Sequence, residues 1–166
     1  MNNITEYLDM IIAFHERHPR TICDGERMHR GMEEFVKAEG IWFTPPSSSE
    51  LPEDVPRGVV KECYSNCWNY LAENPLCGLT YCEGFAFHLI PTMHAWLATP
   101  DGKVIDPTWP EPGSEYLGVP FKWRFAFLTV LSKETYGVID DWDNKWPLMK
   151  GLDPLKWRAE RVGENV

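Results

Sequence analysis

Three residues in one stretch are the types that thiol chemistry needs, and they occur in a suggestive order. Cys63 opens the run CYSNCWNYLAE, His94 lies in HAW, and Asp106 follows in VIDPTW. A thiolate is a far better nucleophile than a thiol. The first turn of a helix favours the anion through its free N–H groups and the positive end of its dipole. A histidine can take the thiol proton and later give it to a leaving group. An acid on the other imidazole nitrogen fixes the tautomer. Cys63, His94 and Asp106 are therefore the candidate nucleophile, base and orienting acid. The Cys63 N–H would supply one oxyanion donor, and Asn66 or a residue of the preceding loop a second.

Cys67 lies one helical turn beyond Cys63, where both thiols could face one cleft, and is the alternative nucleophile. Cys23, Cys77 and Cys82 read as buried or incidental thiols. Five cysteines is an odd number, and the N-terminal MNNITEYLDM lacks a basic start and an apolar core. These features point away from a disulfide framework and a secretion signal, and toward reduced thiols in a cytoplasmic protein.

The elements that must position these residues follow from periodicity and punctuation. Residues 3–17 carry apolar side chains at helical spacing, with Asn3 as N-cap and Pro19 as terminator. Residues 25–39 read as a second helix stopped by Gly40. TPPSSSELPEDVPRG, residues 44–58, is a Pro/Ser-rich connection. Residues 63–73 read as the cysteine helix, ended by Asn74-Pro75. Leu79–Leu89 and Met93–Thr99 have strand character, with Gly84 marking a bulge or a close backbone approach. Pro100-Asp101-Gly102 signals a turn, and Lys103–Asp106 a returning strand. TWPEPGSEYLGVP reads as loop, and Phe121–Lys133 as helix despite its alternating aromatics. His15, His18, His29 and His88 read as structural or solvent-facing.

Centring the hairpin turn on Asp101-Gly102 pairs positions that sum to about 203. Asp106 then lies near Leu97, three residues along the ladder from His94. At about 3.3 Å per residue that is about 10 Å, too far for a direct hydrogen bond.

CYSNCWNYLA, YCEGFAF, HAWLATPDGKVIDPTW and YLGVPF together resemble a group of small bacterial and phage proteins with a papain-like or transglutaminase-like cysteine-hydrolase core. The resemblance spans about residues 61–121. It implies an α+β fold, with the nucleophile helix packed on an antiparallel sheet that carries His94 and Asp106 on neighbouring strands. It also implies Cys63 as nucleophile, His94 as base and Asp106 as orienting acid. Glu83 recurs in the pattern and would brace the helix or contact substrate. Trp96 and Trp109 would be cleft walls or core. One departure is Cys67, which stands where the pattern has alanine.

The expected organisation is a single domain: a helical N-terminal subdomain (1–43), the connection (44–58), a catalytic core (59–136) and a C-terminal wrap (137–166). The expected function is a thiol-dependent hydrolase or acyltransferase. It would act on a peptide, protein or small amide substrate, at an amide, isopeptide or thioester bond, without a cofactor. The competing readings are a catalytically inactive partner-binding protein on the same fold, and a zinc module drawing on Cys63, Cys67, Cys77, Cys82, His88 and His94. The 25 acidic against 16 basic residues, net charge -9, argue against non-specific binding of nucleic acid or an anionic membrane.

Overall fold

A computed structural model describes residues 3–18, 27–133 and 135–160. It is a mixed α+β structure built on five antiparallel strands in the order β1-β5-β2-β3-β4. The strands are β1 Ile41–Phe43, β2 Thr80–Phe87, β3 Pro91–Ala98, β4 Val104–Ile105 and β5 Glu115–Phe121. The helices are α1 Ile4–Arg17, α2 Met32–Glu39, α3 Cys63–Glu73, α4 Trp123–Lys133 and the short α5 Pro154–Trp157.

The sheet curls until its two edges meet. The Thr44 N–H donates to the Gly102 carbonyl and the Val104 N–H to the Thr44 carbonyl, both at 2.9 Å, making a parallel bridge between Thr44 and Lys103. Curling leaves less unpaired strand edge exposed. It also creates an inner and an outer face. Strand side chains alternate between them, and the sequence obeys this closely. Tyr81, Phe85, Ala95, Leu97, Leu117, Val119 and Phe121 join the main core under the helices. Cys82, Ala86, Trp96, Ala98 and Tyr116 turn inward with Phe43 and Val104.

Room for the inner Trp96 comes from Gly118. A Cβ there would lie 2.4 Å from the indole Cη2. Gly84 makes no bulge, because the ladders run unbroken through its pairs with His94 and Gly118. It is the close approach instead, since a Cβ would lie 2.2 Å from the Leu117 carbonyl oxygen.

Several expectations are corrected. The second helix begins only at Met32, because the extended backbone at Gly31 makes that residue the N-cap. His29 therefore lies outside the helix, buried edge-on against Phe35. Glu115–Phe121 is not loop but a central strand. Its Pro120 is tolerated because β1 pairs only with Tyr116, Leu117 and Gly118, and the Ala159 N–H that meets Pro120 on that side donates to its carbonyl at 3.1 Å, which needs no N–H from proline. Phe121 belongs to this strand, and α4 starts two residues later. In the C-terminal segment Trp157 is buried and anchors the chain, whereas Trp142 is 60% exposed. The expectations for Pro19 and Cys23 lie outside the described residues.

The hairpin register is the correction that matters for chemistry. Leu97 pairs with Ile105 and Ala98 with Val104, sums of 202 rather than 203. The loop is Pro100-Asp101-Gly102, three residues, closed by a bond from the Thr99 N–H to the Lys103 carbonyl at 2.9 Å. Gly102 takes φ +80, the left-handed position of a three-residue loop. Pro100 forces this choice. A two-residue turn would need residue 100 to donate an N–H to its partner at 103, and proline has none.

Candidate active site

The corrected register places Asp106 across from Trp96, two residues from His94 and on the same face. A one-residue slip would have turned it to the opposite face. Diagonal neighbours of this kind are within reach of long side chains, and His94 Nε2 lies 2.8 Å from Asp106 Oδ2. The direct bond that simple spacing excluded is present.

Asp106 is buried and all its acceptor capacity is used. Oδ1 accepts the backbone N–H groups of Thr108 and Trp109 at 2.9 and 3.1 Å, folding the chain into a tight turn as β4 ends. Oδ2 accepts from His94 Nε2 and from the Tyr116 hydroxyl at 2.9 Å. Burial would raise the pKa of this acid. The bond and charge of His94 and the two backbone donors outweigh it, and the net shift is downward. The same turn carries Trp109 back over the imidazole, with ring centroids 4.0 Å apart and planes within 21°. Arg57 clasps the turn from outside, donating to the carbonyls of Asp106 at 3.0 Å and Trp109 at 2.8 Å.

With Nε2 committed to Asp106, Nδ1 is the nitrogen left for a proton partner, and the Cys63 thiol lies close enough to influence the charge of the imidazole. The imidazole is 2% exposed. Burial pulls its pKa down, but the bonds and charges of Asp106 and Cys63 prevail and raise it to about 9. Cys63 is the first residue of α3, where backbone N–H groups have no partner within the helix. Two residues earlier, Lys61 sits at φ 72, a left-handed conformation that costs a non-glycine residue about 1–3 kcal/mol.

Asn66 does not face a substrate. Its Nδ2 donates to the Val59 carbonyl at 2.8 Å and to Thr108 Oγ1 at 2.9 Å, while its Oδ1 accepts the Val59 N–H at 3.0 Å. Both donor hydrogens are used, so the expected oxyanion role is corrected to a tether. Asn66 ties the loop before α3 to the Asp-Pro-Thr turn. Gly58 makes the approach possible, since a Cβ there would be 2.3 Å from Asn66 Cγ.

Glu83 is also redirected. It is fully buried on the helix side of the sheet, bound by the Tyr81 hydroxyl at 2.7 Å and the N–H groups of Val138 and Ile139 at 2.6 and 2.9 Å. Burial pushes its pKa up, against these donors. It anchors the C-terminal segment rather than substrate. Trp96 is inner core, packed on Phe43 and Tyr116; of the two tryptophans only Trp109 borders the site. Its indole also walls an open groove of about 410 Å³ lined by His88, Leu89, Ile90, Thr92 and Glu111.

Cys67, the rival thiol, is 0% exposed. Burial first, then the charges of Asp106 and Cys63, push its pKa well above the ordinary thiol value. An unreactive, shielded sulfur is the result. Cys63, Cys67, Cys77 and Cys82 are all free. Among the described residues no group of three or more His, Cys, Asp or Glu side chains is arranged to hold a metal ion, which removes the ligand set of the zinc reading. Among them, too, no helix is long and apolar enough to cross a membrane.

Sequence reasoning missed Tyr116, Arg57 and Thr108 as parts of this arrangement. Tyr116 had a signal, its place in the alternation of YLGVPF. Thr108 had one in the Asp-Pro-Thr run. Arg57 had none, because its partners are backbone carbonyls distant in sequence. No family model, no curated protein and no solved structure matches this chain.

Proposed function

We propose that the chain is a thiol-dependent hydrolase or acyltransferase on a papain-like or transglutaminase-like core. The observation that carries this reading is a buried imidazole held by Asp106 at 2.8 Å, with the Cys63 thiol at the start of α3 near enough to influence its charge. In this reading the thiol proton has passed to His94 Nδ1, leaving an imidazolium beside a thiolate, and the sulfur attacks the carbonyl carbon of an amide, isopeptide or thioester. The carbonyl π electrons move to oxygen, which the N–H groups at the start of α3 stabilise. Collapse re-forms the carbonyl and breaks the bond to the leaving group, which receives the proton from His94. Water or an amine then attacks the acyl-enzyme, His94 takes its proton, and the thiol is restored. Asp106 stays ionised and holds the imidazole in one tautomer. The substrate is a peptide, protein or small amide, approaching along the groove beside Trp109, and the setting is cytoplasmic.

A second reading, an inactive partner-binding protein on the same fold, is favoured by the closure of the site: Cys63 is 7% exposed and His94 2%. An electrophilic amide-mimicking probe separates the two. The hydrolase reading expects labelling at Cys63 that is lost in His94→Ala. Equal labelling of every cysteine, or none at Cys63, would end it.

A further inference from the structure

Asp106 Oδ2 serves two donors. The His94 imidazole and the Tyr116 hydroxyl converge on it at 2.8 and 2.9 Å. The hydroxyl oxygen also accepts the Gly113 N–H at 2.8 Å, which leaves its hydrogen directed at the carboxylate. The Tyr116 ring is fully buried inside the curled sheet, edge-on to Trp96 with centroids 5.2 Å apart. It has no room to swing away. The loop that brings the Gly113 N–H into place admits only glycine comfortably, because a Cβ would lie 2.8 Å from the Phe87 carbonyl oxygen and 3.1 Å from Trp109 Cζ3.

We propose that Tyr116 is a positioning residue that pins Asp106 Oδ2 within reach of the imidazole and, by sharing that oxygen, limits how strongly Asp106 holds the His94 proton. A hydrogen bond to a carboxylate stabilises its charge and weakens it as a base. His94 therefore releases its proton more readily than an unshared Asp106 would allow. The consequence for turnover rests on the thiol-hydrolase reading, in which His94 must give that proton to a leaving group.

The other groups around the imidazole do not duplicate this role. Cys63, at the start of α3, acts on the imidazole electrostatically, and the buried thiol of Cys67, one turn on, interacts electrostatically with Asp106 and Tyr116. Arg57 reaches only the backbone carbonyls of the turn. His88, itself 3.7 Å from Glu111, lies across Trp109, with ring centroids 5.9 Å apart. Among the described residues Tyr116 alone competes with His94 for Oδ2.

The test is Tyr116→Phe, read by NMR titration of the His94 imidazole. The midpoint is expected to move upward by about half a pH unit or more. An unmoved or lowered midpoint in a folded variant would overturn the proposal, because a purely packing role predicts no shift. If the variant does not fold, the unaltered protein decides. A slowly exchanging downfield Tyr116 hydroxyl proton, lost in Asp106→Asn, supports the proposal, and its absence overturns it. Probe labelling of Cys63 is scored separately. A shifted His94 beside an inert thiol retires the hydrolase reading and leaves the role of Tyr116 standing. A reactive thiol with no shift does the reverse.

Discussion

Replacing Asp106 by asparagine tests the whole arrangement with a change of one atom. The Oδ1 side can keep its bonds from Thr108 and Trp109. At the Oδ2 position an NH2 group would face two donors, His94 Nε2 and the Tyr116 hydroxyl. His94 relieves the clash by accepting at Nε2, which puts its proton on Nδ1, pointing at Cys63. The imidazole then has no lone pair for the thiol proton, and acylation should fall by roughly 10³–10⁴. Stability should change in a pH-dependent way. In the unaltered protein the imidazole pKa is raised from 6.5 to about 9, worth about 3 kcal/mol. The folded value exceeds the unfolded one, so protonated His94 stabilises the fold. That contribution is whole below pH 6.5 and is lost as pH rises through 9. In Asp106→Asn the burial effect on His94 dominates, its titration moves to or below 6.5, and the decline between pH 6.5 and 9 disappears. Urea unfolding of both proteins at pH 6 and pH 9.5, beside an NMR titration of His94, measures it. Equal losses of stability across that window, or a His94 in the variant that still titrates near 9, would refute the reasoning.

Asn66→Ala removes three hydrogen bonds that tie Val59 and Thr108 together; it should cost about 1–3 kcal/mol in urea unfolding and slow Cys63 labelling as the loop before α3 loosens. Gly118→Ala would drive a methyl to 2.4 Å from the Trp96 ring and 2.6 Å from the Glu83 carbonyl oxygen; a loss of about 1–3 kcal/mol is expected from overpacking, and an unchanged unfolding midpoint would contradict the tight inner face.

The local elements were legible because their signals are local. Cys63–Glu73 is a helix as its spacing and the Asn74-Pro75 stop require, and α1 begins where the Asn3 side chain accepts the Glu6 N–H at 2.8 Å. The strand at Glu115–Phe121 was hidden by its own Gly118 and Pro120, since its place between β1 and β2 is a tertiary fact. The hairpin shows how fine the margin is. Pro100 carried the information that the turn has three residues, yet a reading that weighed Asp-Gly alone put Asp106 near Leu97, the residue that in fact pairs with Ile105. The hydrogen-bond partners of Asn66 and Glu83 could not be read from the sequence, because residue type reveals a capacity for hydrogen bonding but not the partner.

By itself the sequence determined which residues have chemical capacity, the thiol, imidazole and carboxylate, and the helix start that favours a reactive cysteine. Residue type and local backbone preference are enough for that. Only the tertiary structure decided that His94 and Asp106 share a face, that Cys67 is shut away while Cys63 lies near enough to the imidazole to influence its charge, and that Tyr116 completes the carboxylate's bonding. Those outcomes depend on strand register, sheet curl and burial. Each is fixed by contacts between segments far apart in the chain, where local preference has no say.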